Sequence, residues 1–168
     1  MRVVAPGLVG NPEGMALKAW HIPVRLATGA FILNSGLAKR QADEETAKGL
    51  HGFATTAYPE FKDTPPDKFA SMLSTGEITV GALLLTPVVP TVVAGTALAT
   101  FAGMLGRLYL NGPGLREEGS LKPTQDGTAM AKDVWMLAIG TALTIDGLGD
   151  RRRKRKAKKA KAKAKSTS

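Results

Sequence analysis

At 168 residues the chain is sized for one domain, and it contains no cysteine, which excludes disulfides, thiolate metal sites and a cysteine nucleophile. Lysine and arginine number 23 against 14 acids, a formal charge of +9, yet 11 of those cations lie between Arg151 and Lys165; without them 12 cations face 14 acids, a net of −2. A general nucleic-acid-binding surface is therefore not expected. With His21 and His51 as the only histidines, a histidine-rich metal centre or bis-histidine haem site is not expected either. No flavin, haem or metal motif stands out.

Residues 1–19 predict a flexible arm, because Pro6, Gly7, Gly10, Pro12 and Gly14 interrupt regular structure. The arm has no secretory-signal pattern. Ile22 to Ala38 form the first apolar segment, with Arg25 as its only charge, and Lys39 and Arg40 close it. Next comes a long connection in which Asp43-Glu44-Glu45 predicts a helix start. Leu50, Phe53, Ala54 and Ala57 share one helical face. Such a helix would lie flat on the outer membrane interface or pack as a lid on the bundle. Pro59, Pro65 and Pro66 end it.

From Phe69 to Leu110 the only charges are Glu77 and Arg107. This run is too long for one membrane span, since about 20 residues cross a bilayer core. Pro87 and Pro90 divide it into Phe69–Thr86 and Thr91–Leu110, joined by a short hairpin. A fourth segment, Val134 to Ile145, lies between Asp133 and Asp146. It spans only if the helix runs from about Ala129 to Leu148; otherwise it reads as a core helix of a soluble protein. Ala94, Gly95, Ala97, Ala99, Ala102, Gly103 and Gly106 enrich the third segment in small residues, which let membrane helices approach closely. The expected fold is all-α: a four-transmembrane-helix bundle over residues 20–149, with an extra interfacial helix in the first outer loop.

Residues 150–168 predict a disordered basic tail, as the like charges repel. Arg151, Arg152, Arg153, Lys154, Arg155 and Lys156 follow the fourth segment directly. Cations beside a span stay cytoplasmic, so both termini fall inside and the expected location is the plasma membrane, multi-pass. Trp20 and His21 then mark the inner interface, Tyr109 and Trp135 the outer one. The tail's expected partner is membrane lipid at the anionic inner leaflet, with nucleic acid secondary; the competing reading is a topology and solubility determinant with no specific partner.

Glu77 is the costliest charge, about 12 Å along the second span at 1.5 Å per residue. The topology gathers Lys39, Glu77, Arg107 and Asp133 in the outer half. A Glu77–Arg107 pair is expected, with Lys39 nearby, because the guanidinium fork suits a buried carboxylate. One reading is purely structural, the pair fixing helix register. The other is an outward pocket for a quinone headgroup, an anion or a lipid headgroup, with Asn34, Ser35 and Thr79 lining it and Thr75 near. Arg25 is expected to snorkel to headgroups, and His51 to be a surface residue.

The segment from Arg25 through Gly29, Asn34, Ser35 and Gly36 to Lys39 resembles the first-helix pattern of the DoxX family: an arginine, a glycine four residues on, and a Ser-Gly-x-x-Lys exit. Gly76-Glu77 followed by Gly81-Ala82-Leu83-Leu84-Leu85 is similar to its second helix, and Thr86–Pro90 to the short turn that follows. Asp133–Gly149 is similar to the closing helix. The resemblance covers about residues 22–148 and implies a four-helix membrane bundle. Some relatives are linked to thiosulfate oxidation coupled to quinone reduction, others to a membrane-associated oxidant-defence assembly. The implied role is an accessory or scaffold subunit in envelope redox or thiol homeostasis, with redox-defence proteins as partners. The alternatives are a quinone-linked oxidoreductase subunit, for which quinone would be the cofactor, and a small-molecule or lipid transporter. No residue is assigned to catalysis or to a metal.

Overall fold

A computed structural model describes residues 17–165 of the chain. Its elements in order are α1 (His21–Arg40), α2 (Glu44–Thr55), a 3-10 turn (Pro59–Phe61), α3 (Pro66–Leu85), α4 (Thr91–Asn111), α5 (Thr128–Ala131) and α6 (Val134–Lys165). Among the described residues there is no strand, only an isolated bridge between Arg116 and Pro123. The described residues thus form an all-helical fold. Among their helices one, α4, is long and apolar enough by length and composition to cross a membrane.

Local chemistry sets most of these limits. The Asp43 carboxylate accepts the Thr46 backbone N–H at 2.8 Å and caps α2; that bond holds its pKa below the usual carboxylate range. Pro66 occupies the first turn of α3, where its missing N–H costs nothing. Thr86 precedes Pro87 and is extended, which stops α3. Lys39 and Arg40 in the last turn of α1 complement its C-terminal dipole.

The tail departs from expectation. Rather than being disordered, Arg151–Lys165 continue α6 as one helix that begins at Val134. Repulsion acts between side chains that are exposed over 151–160, where water screens it. Against it stand the high helix propensities of Ala157, Ala160, Ala162, Ala164 and the basic residues. The preceding helical turns also remove the cost of a new nucleus. At the other end α6 starts at Val134 and not near Ala129, because Lys132 and Asp133 form a turn after the short α5. The expected arm, residues 1–19, lies outside the described residues as far as residue 16.

The four long helices associate as two antiparallel pairs, α1 with α3 and α4 with α6, with lighter packing between α3 and α4. Glycines set both pairs. A Cβ on Gly81 would lie 2.7 Å from the Leu33 backbone N, and one on Gly36 would lie 2.8 Å from the Ile78 N. In the second pair, a Cβ on Gly95 would lie 2.6 Å from Thr144 N, and one on Gly147 2.6 Å from Val92 N. Backbone meets backbone along both seams. Gly103 and Gly106, expected to share in close approach, face open space. Ile32, Leu84, Leu98, Phe101, Met136 and Leu143 fill the common core.

The helix in the connection between α1 and α3, α2, packs on α3, the lid arrangement. Ala47, Ala54 and Ala57 are buried, while Leu50 and Phe53 are half-buried. His51, expected at the surface, is half-buried: its Nε2 lies 2.8 Å from the Phe61 carbonyl and its ring stands edge-on to Phe69. Tyr58 donates to the Met104 carbonyl at 2.9 Å and latches the connection to α4.

Candidate functional site

Glu77 is buried, and its partner is Lys39. The ammonium lies 3.0 Å from each carboxylate oxygen and donates to Ser35 Oγ at 2.6 Å. Helix geometry explains the set. Ser35 and Lys39 lie four residues apart on one face of α1. Gly36 between them lets α3 come so close that a Cβ there would sit 2.9 Å from the Glu77 Cβ. Ser74, one turn before Glu77 and buried, donates to the Gly36 carbonyl at 2.8 Å. The Ser-Gly-x-x-Lys exit thus supplies a hydroxyl, a gap and a cation to one carboxylate on the neighbouring helix.

Arg107 does not take part, contrary to the expected Glu77–Arg107 pair. Its exposed guanidinium sits 4.4 Å above the Tyr58 ring and 4.0 Å from Glu60. The reason is which helices pair: the glycines of α1 and α3 bring α1, not α4, to the Glu77 face. Asp133 makes no ion pair or side-chain hydrogen bond with Lys39, Glu77 or Arg107. It is half-buried before α6, and burial pushes its carboxyl above the usual range, with Lys132 opposing. Of the expected pocket lining, Ser35 contacts the ion pair, whereas Asn34 and Thr79 are exposed. Thr79 and Thr75 spend their hydroxyls on carbonyls one turn back in α3. A cavity of about 480 Å³ does open beside Lys39, between the end of α1, α2 and the start of α3. Its charges are mixed, with Arg40 and Lys48 against Asp43, Glu44 and Asp67.

These partners yield a first prediction. Glu77→Ala strips a buried pair of one member and should destabilise the protein by about 3 kcal/mol, the low end for such losses because Lys39 keeps some exposure. Arg107→Ala should cost less than about 1 kcal/mol. Denaturant unfolding of the purified variants measures both; equal losses would reinstate Arg107 as the partner.

Arg25 is buried, which corrects the snorkelling expected of it. It donates from Nε to the Leu84 carbonyl at 2.8 Å, from Nη2 to Leu83 at 2.9 Å and Thr86 at 2.8 Å, and from Nη1 to Val89 at 3.2 Å. These carbonyls lie at the end of α3 and in the turn after it. A helix leaves its last carbonyls without partners in the helix, and this guanidinium supplies donors to Leu83 and Leu84 of α3.

Sequence reasoning missed a second polar cluster at the opposite end. His21 is fully buried, its Nε2 lying 2.9 Å from Asp146 Oδ2 and its Nδ1 3.4 Å from the Thr91 hydroxyl. Lys18 donates to Asp146 Oδ2 at 2.6 Å and pairs with Asp150 at 3.2 Å. These bonds hold the Lys18 ammonium above its usual pKa despite the opposing effect of burial. The signal was available: the start of α1 and the middle of α6 share one end in an antiparallel four-helix topology, and their flanking charges have opposite sign. The six basic residues Arg151 to Lys156 project from α6 beyond this cluster, all exposed.

Compared with protein-family models, curated proteins and solved structures, the chain matches none.

Proposed function

We propose that the chain is a multi-pass membrane protein, with α1, α3, α4 and, although it starts at Val134 and not near Ala129, the first half of α6 as its spans and both ends at the cytoplasmic face, and that it serves as an accessory or scaffold subunit. The observation that carries this reading is the pairing of two features. All four long helices turn large apolar side chains outward, among them Leu26 (52% exposed), Phe31 (59%), Met72 (56%), Met104 (48%) and Ile145 (66%). Meanwhile the helices pack through glycines. In water such exposed apolar surface promotes association, and glycine in a helix costs about 1 kcal/mol relative to alanine. In lipid the outward residues are solvated, and glycine seams are how helices associate there. Only about a third of the apolar stretch of α4 is buried, unlike the core helix of a soluble bundle.

A scaffold role, in preference to catalysis, is supported by how the inner charges are spent. Glu77 is held by Lys39, and Asp146 by Lys18 and His21. Each of these buried or half-buried acids already has its proton donors. The setting in envelope redox or thiol homeostasis rests on the resemblance of Arg25–Lys39 and Gly76–Leu85 to the DoxX pattern.

The absence of cysteine allows a test without background. The protein should stay in the membrane pellet under alkaline carbonate. An impermeant maleimide should label Ser120→Cys in intact cells and Ala160→Cys only after permeabilisation. Release into the alkaline supernatant, or external labelling at residue 160, would end the membrane reading. Affinity purification in mild detergent should recover partners that persist in Glu77→Gln; a chain that purifies alone would end the scaffold role.

A further inference from the structure

The face of α6 that seats on α4 continues past the end of α4. Gly140, Leu143 and Gly147 lie on that face, and at helical spacing it runs on through Arg151 and Lys154. Gly147 abuts Val92 in the first turn of α4, so the next turn of α6 overhangs the α3–α4 turn. A cavity of about 300 Å³ opens there. Leu17, Val89 and Val92 supply apolar lining, and Arg151, Arg153 and Lys154 supply three cations. Asp150 and Lys18 also border it, but they pair with each other at 3.2 Å, and Lys18 holds Asp146 as well. Among the described residues Arg151, Arg153 and Lys154 have no acidic partner.

We propose that this cavity binds a phosphate ester, and that its occupant is the headgroup of an anionic phospholipid from the inner leaflet. The arginine forks match phosphate oxygens, and the lysine adds a point charge. The apolar lining beside them suits the glycerol and first methylenes of a lipid better than a bare ion. The volume lies at the small end of ligand pockets, which fits a headgroup and excludes a large cofactor. The choice of a lipid rests on the membrane reading above; the phosphate chemistry does not. The site differs from the general attraction of a basic helix to an anionic surface, because it makes the cations unequal: Arg151 and Lys154 form the pocket, and Lys158 and Lys159 lie outside it.

That inequality is the test. Full-length protein in detergent micelles is titrated with phosphatidylglycerol and bound lipid is read by native mass spectrometry. The double variant Arg151→Ala/Lys154→Ala is compared with the charge-matched Lys158→Ala/Lys159→Ala, circular dichroism confirming that both retain their helices. The first pair should weaken lipid binding by about ten-fold or more and the second by less than about two-fold, since charge-assisted bonds are lost only in the first. Equal losses would overturn the site in favour of diffuse attraction. A parallel titration with glycerol 3-phosphate separates the sources: position-dependent binding of that ester, without binding of the lipid, would overturn the lipid assignment. Should carbonate release the protein from membranes, the membrane reading fails on its own, and the glycerol 3-phosphate titration still decides the pocket. Position dependence with neither ligand would overturn the proposal.

Discussion

Replacing Gly140 with leucine is expected to break the α4–α6 pair, while replacing Gly103 with alanine should leave the protein intact or slightly more stable. A Cβ at Gly140 would lie 2.5 Å from the Ala99 backbone N and 2.9 Å from the Ala99 Cα. These are main-chain atoms of a helix, so they cannot swing aside as a side-chain tip can. The two helices would have to separate along a seam that also includes Gly95 and Gly147, each with a would-be Cβ 2.6 Å from a partner backbone nitrogen. Overpacking against adaptable side chains costs about 1–3 kcal/mol; against rigid backbone, with a leucine to place, the loss should exceed about 3 kcal/mol. At Gly103 no atom beyond its own helix backbone and chain neighbours lies within 4 Å of where an added methyl would sit. There the change to alanine should return up to about 1 kcal/mol of helix propensity. SDS unfolding of the purified variants reads both signs. A harmless Gly140→Leu would mean that the helices do not meet through this seam.

The second large effect is expected at Arg25. Its guanidinium makes four hydrogen bonds to the carbonyls of Leu83, Leu84, Thr86 and Val89. Bonds from a charged donor are worth about 1.5–3 kcal/mol each. Removing them together strips the Leu83, Leu84 and Val89 carbonyls of this donor and leaves Thr86 only the Val89 N–H at 3.1 Å, so Arg25→Ala should cost more than about 4 kcal/mol. Arg25→Lys should recover less than half of that loss. One ammonium cannot reach carbonyls on both α3 and the turn, whereas a planar fork can. The same unfolding titration applies, supplemented by hydrogen exchange at Thr86 to Val89, which should speed up in both variants. A loss under about 1 kcal/mol for Arg25→Ala would show a side chain held at the surface, as the sequence suggested.

Much of the helical frame was legible because its signals are local. Pro66, the Thr86-Pro87 step and Pro90 punctuate the chain, and the Asp43 cap announces α2. A proline or a capping carboxylate acts within one turn and needs no tertiary partner. The cations of α6 were equally visible, but their conformation was not. Charge repulsion argued for disorder, while propensity and an already formed helix argued for continuation, and the second prevailed.

Proline spacing and apolarity were enough to show long helices, the place of Glu77 in an apolar segment showed that its charge needs a partner, a proton or a wet interior, and the run from Arg151 showed that positive charge collects after the last segment. Helix packing chose Lys39 and not Arg107 for Glu77, set Arg25 on the end of α3, and brought Lys18 and His21 to Asp146. Each of these choices depends on the rotation of a helix about its own axis and on which neighbour it touches. Every residue turns the helix by about 100°, so composition places a charge at a depth but not on a face. The glycines at 36, 81, 95, 140 and 147 fix the rotation, because at those positions one long helix lays its backbone directly against another.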